Sequence, residues 1–349
     1  MRIAKFAPDF FSIYSTEQTG FVCAMPIRFS KRVSGAFVVF GFAVAVFGAR
    51  SADGAAKDGF HLFARTNLIA WCIVPFDAKK RGPEERAAML EKLGFKHFAY
   101  DYRAEHIPTF DAEIAACQRH GVALDAWWFP SELNAEAQLI LDTLQRHQLK
   151  AQLWVMGGGA PAKSAEEQRA RVELEAKRLQ PIAEAAAKIG CTVGLYNHGG
   201  WFGEPENQIE IIARLKTDGV NNVGIVYNLH HGHEHLDRFR TLLEKMKPHL
   251  VALNLNGMTR DGDKIGMKIL PLCQGELDLE ILKTLRDSGW HGRIGILNHT
   301  DEDAEARLTD NLAGLDWLVK QLEGKDAGSR PIHNSWRAPK PVSTPTKAK

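Results

Sequence analysis

The sequence predicts a single-domain α/β chain folded as a (β/α)8 TIM barrel. Three observations predict it. Short runs rich in Val, Ile and Leu recur eight times along the chain, with the length of strands buried on both faces of a parallel sheet. Each is followed by a helical segment, at spacings of about 25–40 residues that suit right-handed βαβ units. Eight such units fill roughly 255 residues, the size of a closed barrel. The competing fold, a doubly wound open sheet, lacks its usual GxGxxG after the first strand.

The expected strands are 67–74, 97–101, 122–127, 151–155, 192–197, 222–228, 250–254 and 293–298. Gly94, Gly121, Gly190, Gly219 and Gly289 each stand immediately before a strand. Glycine there takes the left-handed conformation that closes the last carbonyls of the preceding helix. The helix after the fourth strand spans 164–189 and opens with the capping box Ser164-Ala165-Glu166-Glu167, whose serine and glutamate satisfy two free amides. The next, 205–216, begins with Pro205, a residue suited to a first helical turn. Two helices end without glycine, at 147–150 and at Lys247-Pro248, where proline forbids continuation. A long loop after the seventh strand leads to a helix over 279–287.

The flanks differ from the barrel. Residues 25–35 are short and basic, 36–48 form a thirteen-residue apolar run, and Ala49-Arg50-Ser51 places small residues where a signal peptidase reads. Thirteen residues fall short of the ~20 needed to span a bilayer. Residues 1–51 are therefore expected to be a secretory leader, with Met25 a second candidate start, and the protein to be exported to the periplasm or beyond. Residues 52–65 read as a linker, 66–323 as the barrel, and 324–349 as a tail with four prolines and six Lys/Arg against one Asp. Such a tail is expected to be disordered or draped on the surface, with Trp336 as a local anchor.

A net charge of +2 gives no reason to expect nucleic acid or, once the leader is removed, a membrane as partner. The sequence sets no oligomeric state. Cys72, Cys117, Cys191 and Cys273 remain without the leader. They could form two disulfides in an exported protein, but buried free thiols are the expectation for three of them. No zinc-ligand spacing is present.

The active site of such a barrel is built from the carboxyl ends of its strands. Four runs end on an asparagine, Asn197, Asn228, Asn254 and Asn298, and three are followed within three residues by histidine: His198, His230 with His231, and His299. Amides donate and accept hydrogen bonds as sugar hydroxyls require, and indoles stack on the apolar face of pyranose rings. Trp127, Trp128 and Trp201 are candidates for stacking, although neighbouring strand residues face opposite ways, so either Trp127 or Trp128 could fill the core. The second strand supplies Asp101, Arg103 and His106. Burial would raise the pKa of Asp101 unless Arg103 compensates. Glu276 could reach into the mouth or sit near a helix N-terminus favoured by the dipole. The run His230–His235 (HHGHEH) has three readings: a transition-metal site on His230, His231 and His233, a loop in which His231 is a general acid or base, or a solvated turn.

The segments GLYNHGGW (194–201), NVGIVYNLHHGH (222–233) and ILPLCQGELDLEIL (269–282) resemble the xylose-isomerase-like TIM-barrel superfamily of sugar-phosphate isomerases and epimerases, which includes endonuclease IV. The resemblance covers about residues 67–322. It implies one divalent metal held by Glu, Asp, His and Glu from strands five to eight, with the two Glu residues moving the proton. On this chain those positions fall at Tyr196, Asn228, Asn254 and Leu297 or Asn298. His231 matches the histidine three residues after the strand-six acid, and His198 the frequent His-Gly-Gly after strand five.

Neutral amides lack the charge that makes oxygen sites for divalent cations strong, and an amide cannot take a proton from carbon at neutral pH. A divalent metal is therefore a doubtful expectation and no other cofactor is expected; endonuclease activity is expected less still. The expectation is a carbohydrate-active isomerase or epimerase, with a lyase as a variant. His231 and His198 carry protons in this reading, Asp101 or Glu276 assists, and Asn197, Asn228, Asn254, Asn298, Trp127, Trp201, Arg103 and His106 bind the sugar. The alternatives are a non-catalytic sugar-binding barrel and a metal enzyme built on the His230–His235 cluster.

Overall fold

Eight parallel strands close into one barrel in the computed structural model, which describes residues 60–336. They are β1 (Leu68–Trp71), β2 (His97–Tyr100), β3 (Ala123–Phe129), β4 (Gln152–Val155), β5 (Thr192–Tyr196), β6 (Val223–Asn228), β7 (Leu250–Leu255) and β8 (Arg293–Leu297). Their order around the barrel is their order in the chain, and β1 pairs with β8 to complete the circle. The helices α1 (Pro83–Leu93), α2 (Phe110–Arg119), α3 (Ala135–Arg146), α4 (Ala165–Lys188), α5 (Pro205–Thr217), α6 (Phe239–Met246), α7 (Asp278–Asp287) and α8 (Ala304–Leu322) alternate with them. The expected leader, most of the linker and residues 337–349 lie outside the described residues.

All five glycines expected to stop helices have φ between +62° and +82°, and Ser164 Oγ accepts the Glu167 amide as the capping box requires. Strand ends shift by a few residues. β1 stops at Trp71 rather than at 74 because Cys72 turns to φ +57°, which breaks the ladder.

Strand parity divides the core in two. Phe98, Tyr100, Trp127, Leu153, Ile225 and Leu253 face the helices. Ile69, Trp71, Ala99, Ala126, Trp154, Tyr196, Val226, Ala252 and Leu297 form a separate inner cluster. That cluster is an aromatic plug: Trp71 meets Trp154 edge-on at 4.6 Å, and Tyr196 lies 5.1 Å from Trp128. Small residues make the room. A Cβ on Gly194 would lie 2.5 Å from Val226 and 3.0 Å from Trp154, closer than packed carbons can approach. The plug fills the barrel beneath the mouth.

Ties between loops hold that mouth. Asp77, in the loop after β1, accepts from Arg81 and from the first amide of α8, and Arg81 also reaches Asp303. The tail is draped over the described part of its course: Arg330 donates to the Cys273 carbonyl, Gln274 bonds His333, and Ser335 donates to Asp310. Cys72, Cys117, Cys191 and Cys273 are all buried free thiols.

Candidate functional site

Two adjoining cavities of about 70 and 270 Å³ open at the carboxyl ends of the strands and share His198, His230 and His231. The smaller sits on the aromatic plug and is walled by Trp71, Cys72, Phe76, Asp101, Arg103, Trp128, Tyr196 and His299 in addition to the shared histidines. The larger runs outward past Gly199, Gly200, Glu204, Asp263 and Lys268. The histidines form one cluster, with ring centroids 3.6 Å apart for His230 and His231, 4.4 Å for His198 and His231, and 5.5 Å for His230 and His299. Sequence positions 198, 230, 231 and 299 thus meet because β5, β6 and β8 deliver them to one rim.

The asparagines stand behind this surface. Asn197, Asn228, Asn254 and Asn298 are fully buried, and none borders either cavity. Asn197 latches β5 to β6, its Oδ1 accepting the Asn228 amide at 2.7 Å and its Nδ2 donating to the Asn228 carbonyl at 3.2 Å. Asn228 Nδ2 donates to the Tyr196 hydroxyl and its Oδ1 meets His230 Nδ1 at 2.7 Å. Asn254 packs so tightly on β8 that a Cβ at Gly295 would lie 1.7 Å from its Oδ1. The expected direct role in sugar binding is corrected for all four. The side chains of Asn197 and Asn228 bond within the barrel wall and position residues that face the mouth, whereas the amides of Asn254 and Asn298 are buried without a hydrogen-bond partner among the described residues.

Burial drives the two kinds of ionisable group apart. The Asp101 carboxyl, 2% exposed, is pushed up to about 7 by desolvation, against the pull of Arg103. One oxygen accepts the Val74 amide at 3.3 Å, and among the described residues Oδ2 has no oxygen or nitrogen partner, with only the Cys72 thiol beside the carboxyl. The Cys72 thiol beside it is pushed up by burial and by the carboxylate. Each histidine moves the other way: His231 is lowered to about 3, first by desolvation and then by His198 and Lys268. His198 and His299 are lowered by burial, with Lys268 acting on the first and Arg103 on the second. His230 is lowered well below the usual range. At neutral pH the cluster is uncharged imidazole facing a carboxyl near its midpoint.

Other expected site residues lie elsewhere. Trp127 faces out of the barrel and packs edge-on against Tyr100 and Phe110, each at 4.8 Å, whereas Trp128, one residue on, faces the mouth. Trp201 is buried and bonds Gln168 of α4 at 2.6 Å, so it anchors the loop after β5 instead of presenting a face. His106 caps its own turn by accepting the Arg103 amide at 2.9 Å. Glu276 is exposed and accepts the Arg260 amide. The buried acid of that segment is Asp278, held by the amides of Met258 and Gly275.

In the run 230–235 only His230 and His231 reach both cavities; His233 and His235 border the larger one, where His233 bonds the Lys268 carbonyl and His235 bridges Tyr227 and Glu204. Among the described residues no three His, Cys, Asp or Glu side chains converge where an ion could sit. Sequence reasoning passed over Trp71, Cys72, Phe76 and Lys268. The inward parity of β1 could have found Trp71; loop residues carry no such signal.

A sequence model of the xylose isomerase-like TIM-barrel family matches residues 58–321. The chain belongs to this family. No curated protein sequence matches it significantly. Solved structures share the fold of the family at low identity. The IOLI protein, solved with a bound zinc, superposes with a TM-score of 0.57 at 15% identity, over 73% of this chain and 99% of its own. The 3-keto-D-glucoside 4-epimerase YcjR of E. coli gives 0.51 at 14%, over 72% and 98%. D-Psicose 3-epimerase of Clostridium cellulolyticum H10, solved with D-tagatose, gives 0.52 at 12%, over 72% and 98%. The family fold is thus one used by sugar epimerases.

The positions that the family resemblance assigns to metal ligands carry Tyr196, Asn228, Asn254 and, as the inward-facing residue of β8, Leu297. A phenol, two amides and an alkyl chain do not suit a divalent cation, which calls for anionic oxygen and imidazole ligands. The Tyr196 hydroxyl is moreover already engaged by the Trp71 indole at 3.2 Å and by Asn228.

Proposed function

We propose that the protein is a sugar isomerase or epimerase that moves a proton with Asp101 and needs no divalent metal. One observation carries the reading: a buried carboxyl poised near neutral pH, with an oxygen that has no nitrogen or oxygen partner among the described residues, lines the same cavity as a cluster of uncharged imidazoles. A general base works best with a pKa near the operating pH, and Asp101 has one. His231, lowered to about 3, is too weak a base for that step. Its uncharged ring is suited to hydrogen-bond the oxygen on which charge develops, a role neutral imidazole can fill.

In this reading Asp101 takes the proton from the carbon beside the sugar carbonyl. The enediolate that forms is held by hydrogen bonds from His198 and His231, and Asp101 returns the proton to a different carbon or, once the enediolate has turned, to its other face. Trp71 and Trp128 supply apolar walls for the ring carbons. An exported protein, as the leader suggests, would meet free sugars or polysaccharide fragments rather than phosphorylated intermediates.

The test is deuterium uptake from heavy water into a panel of ketoses, aldoses and uronates. The wild type should label a substrate carbon, and Asp101→Asn should not. Labelling unchanged in Asp101→Asn would sink the assignment. Sugar binding without labelling across the panel would establish a binding module in place of an enzyme.

A further inference from the structure

The hydrogen bonds behind the mouth dictate which nitrogen of His230 carries its proton. Asn228 Nδ2 donates to the Tyr196 hydroxyl, which leaves Oδ1 facing His230 Nδ1 at 2.7 Å. An amide oxygen only accepts, so the proton in that contact belongs to Nδ1. A neutral imidazole has one N–H, and its other nitrogen is then a bare lone pair. That nitrogen, Nε2, has no hydrogen-bond partner among the described residues, and the side chain is 1% exposed. His230 borders both cavities. The ring is fixed by His231 at 3.6 Å and by His299, perpendicular to it at 5.5 Å.

Leaving a buried acceptor unpaired costs about 1–3 kcal/mol. Such a group calls for an explanation, and at His230, which borders both cavities, a bound ligand can supply one. Histidine at the neighbouring position, His231, has no comparable anchor on Asn228.

We propose that His230 is a specificity-determining residue whose Nε2 accepts a hydroxyl hydrogen of the ligand, so that the site selects a polyol at this point. A carbonyl, ether or carboxylate oxygen placed there would set lone pair against lone pair. A site built to bond a hydroxyl rejects an analogue lacking it by about 10⁴-fold or more. The identity of the ligand as a sugar rests on the proposed function; the tautomer and the acceptor stand on the geometry alone.

Nitrogen-15 spectroscopy of the histidine rings in the full chain at neutral pH tests this, with His230→Gln assigning the signal. The expected result is a proton on Nδ1 and a lone pair on Nε2. Asn228→Asp, whose carboxylate also only accepts, should keep that form, and Asn228→Leu should release the ring to the commoner form protonated on Nε2. Glycerol, a fragment carrying three hydroxyls, should shift Nε2 saturably, and acetate should not.

A wild-type ring protonated on Nε2 overturns the proposal. So does an Nε2 signal indifferent to molar glycerol. Should Asn228→Leu fail to fold, the wild type and Asn228→Asp still decide the outcome. The two readings fail separately: an intact glycerol response with no deuterium uptake into any sugar removes the catalytic role and keeps the acceptor.

Discussion

The two sides of the mouth respond to burial in opposite ways. On the side of β1 and β2, burial raises both acids, Asp101 to about 7 and the Cys72 thiol well above its usual range. On the side of β5, β6 and β8, His198, His230, His231 and His299 are bases that burial keeps unprotonated. One physical cause, the cost of charge in a medium poorer than water, pushes both sides toward neutrality. The comparison teaches that one cause, burial, disfavours the charged form on both sides of the mouth, so the proton transfer proposed for Asp101 would run beside uncharged imidazoles.

The largest expected effect comes from breaking the acidic side. Asp101→Asn should lower the turnover of a labelled sugar by about 10²–10⁴-fold, the usual worth of a positioned general base. Its effect on stability should have the other sign. The carboxyl is raised from 3.8 to about 7, so the stability it contributes is full below 3.8 and falls away as pH rises toward 7. The variant, neutral at every pH, should lose that decline and be more stable than wild type at pH 8 by up to about 4 kcal/mol. Denaturant melts at pH 4 and pH 8 check both limbs; a variant no more stable at pH 8 would show that Asp101 is not raised.

Next come the two tryptophans that straddle the wall. Trp127→Ala should cost about 3–5 kcal/mol, as buried aromatic truncations do, and should spare ligand binding by the molecules that still fold. Trp128→Ala should cost less and weaken sugar binding. Equal effects of the two on binding would contradict the parity assigned here.

A third test addresses the basic side. His231 is lowered from 6.5 to about 3, so its stabilising contribution is present above 6.5 and is lost as pH falls through the interval below. At pH 5 the loss is about 1–2 kcal/mol after allowance for partial exposure, and His231→Asn should remove it. Melts of the two proteins at pH 5 and pH 7.5 read the difference, and identical acid sensitivity would place His231 in water. The smallest effect is expected at Glu276→Gln, within about 0.5 kcal/mol of wild type as exposed substitutions are and with catalysis unchanged. Lost activity there would bring the β7 loop into the chemistry after all.

Much of the fold is legible in the sequence because its signals are local. The glycine after each of five helices, the capping box at Ser164 and the eight apolar runs each act within a few residues. The rim is legible too, since strand carboxyl ends locate it. What the sequence conceals is which way each rim residue points. Asn197, Asn228 and Asn254 look like ligands because amides suit sugars, yet a latch between backbones, the grip of Asn228 on Tyr196 and the packing of Asn254 against Gly295 turn them inward. Trp127 and Trp128 differ by a single step in register, which tertiary closure of the barrel decides. Lys268 arrives on a long loop with no periodicity to announce it.

The contact between Asn254 and Gly295 has an evolutionary consequence. With an amide at 254, any side chain at 295 would occupy space already taken by Oδ1, so the two positions are coupled and their effects should not add. A lineage that keeps an amide at 254 must keep glycine at 295. Position 295 therefore acts as a ratchet: as long as it stays glycine a bulky residue at 254 is admitted, and once it changes, only the smallest residues at 254 remain open.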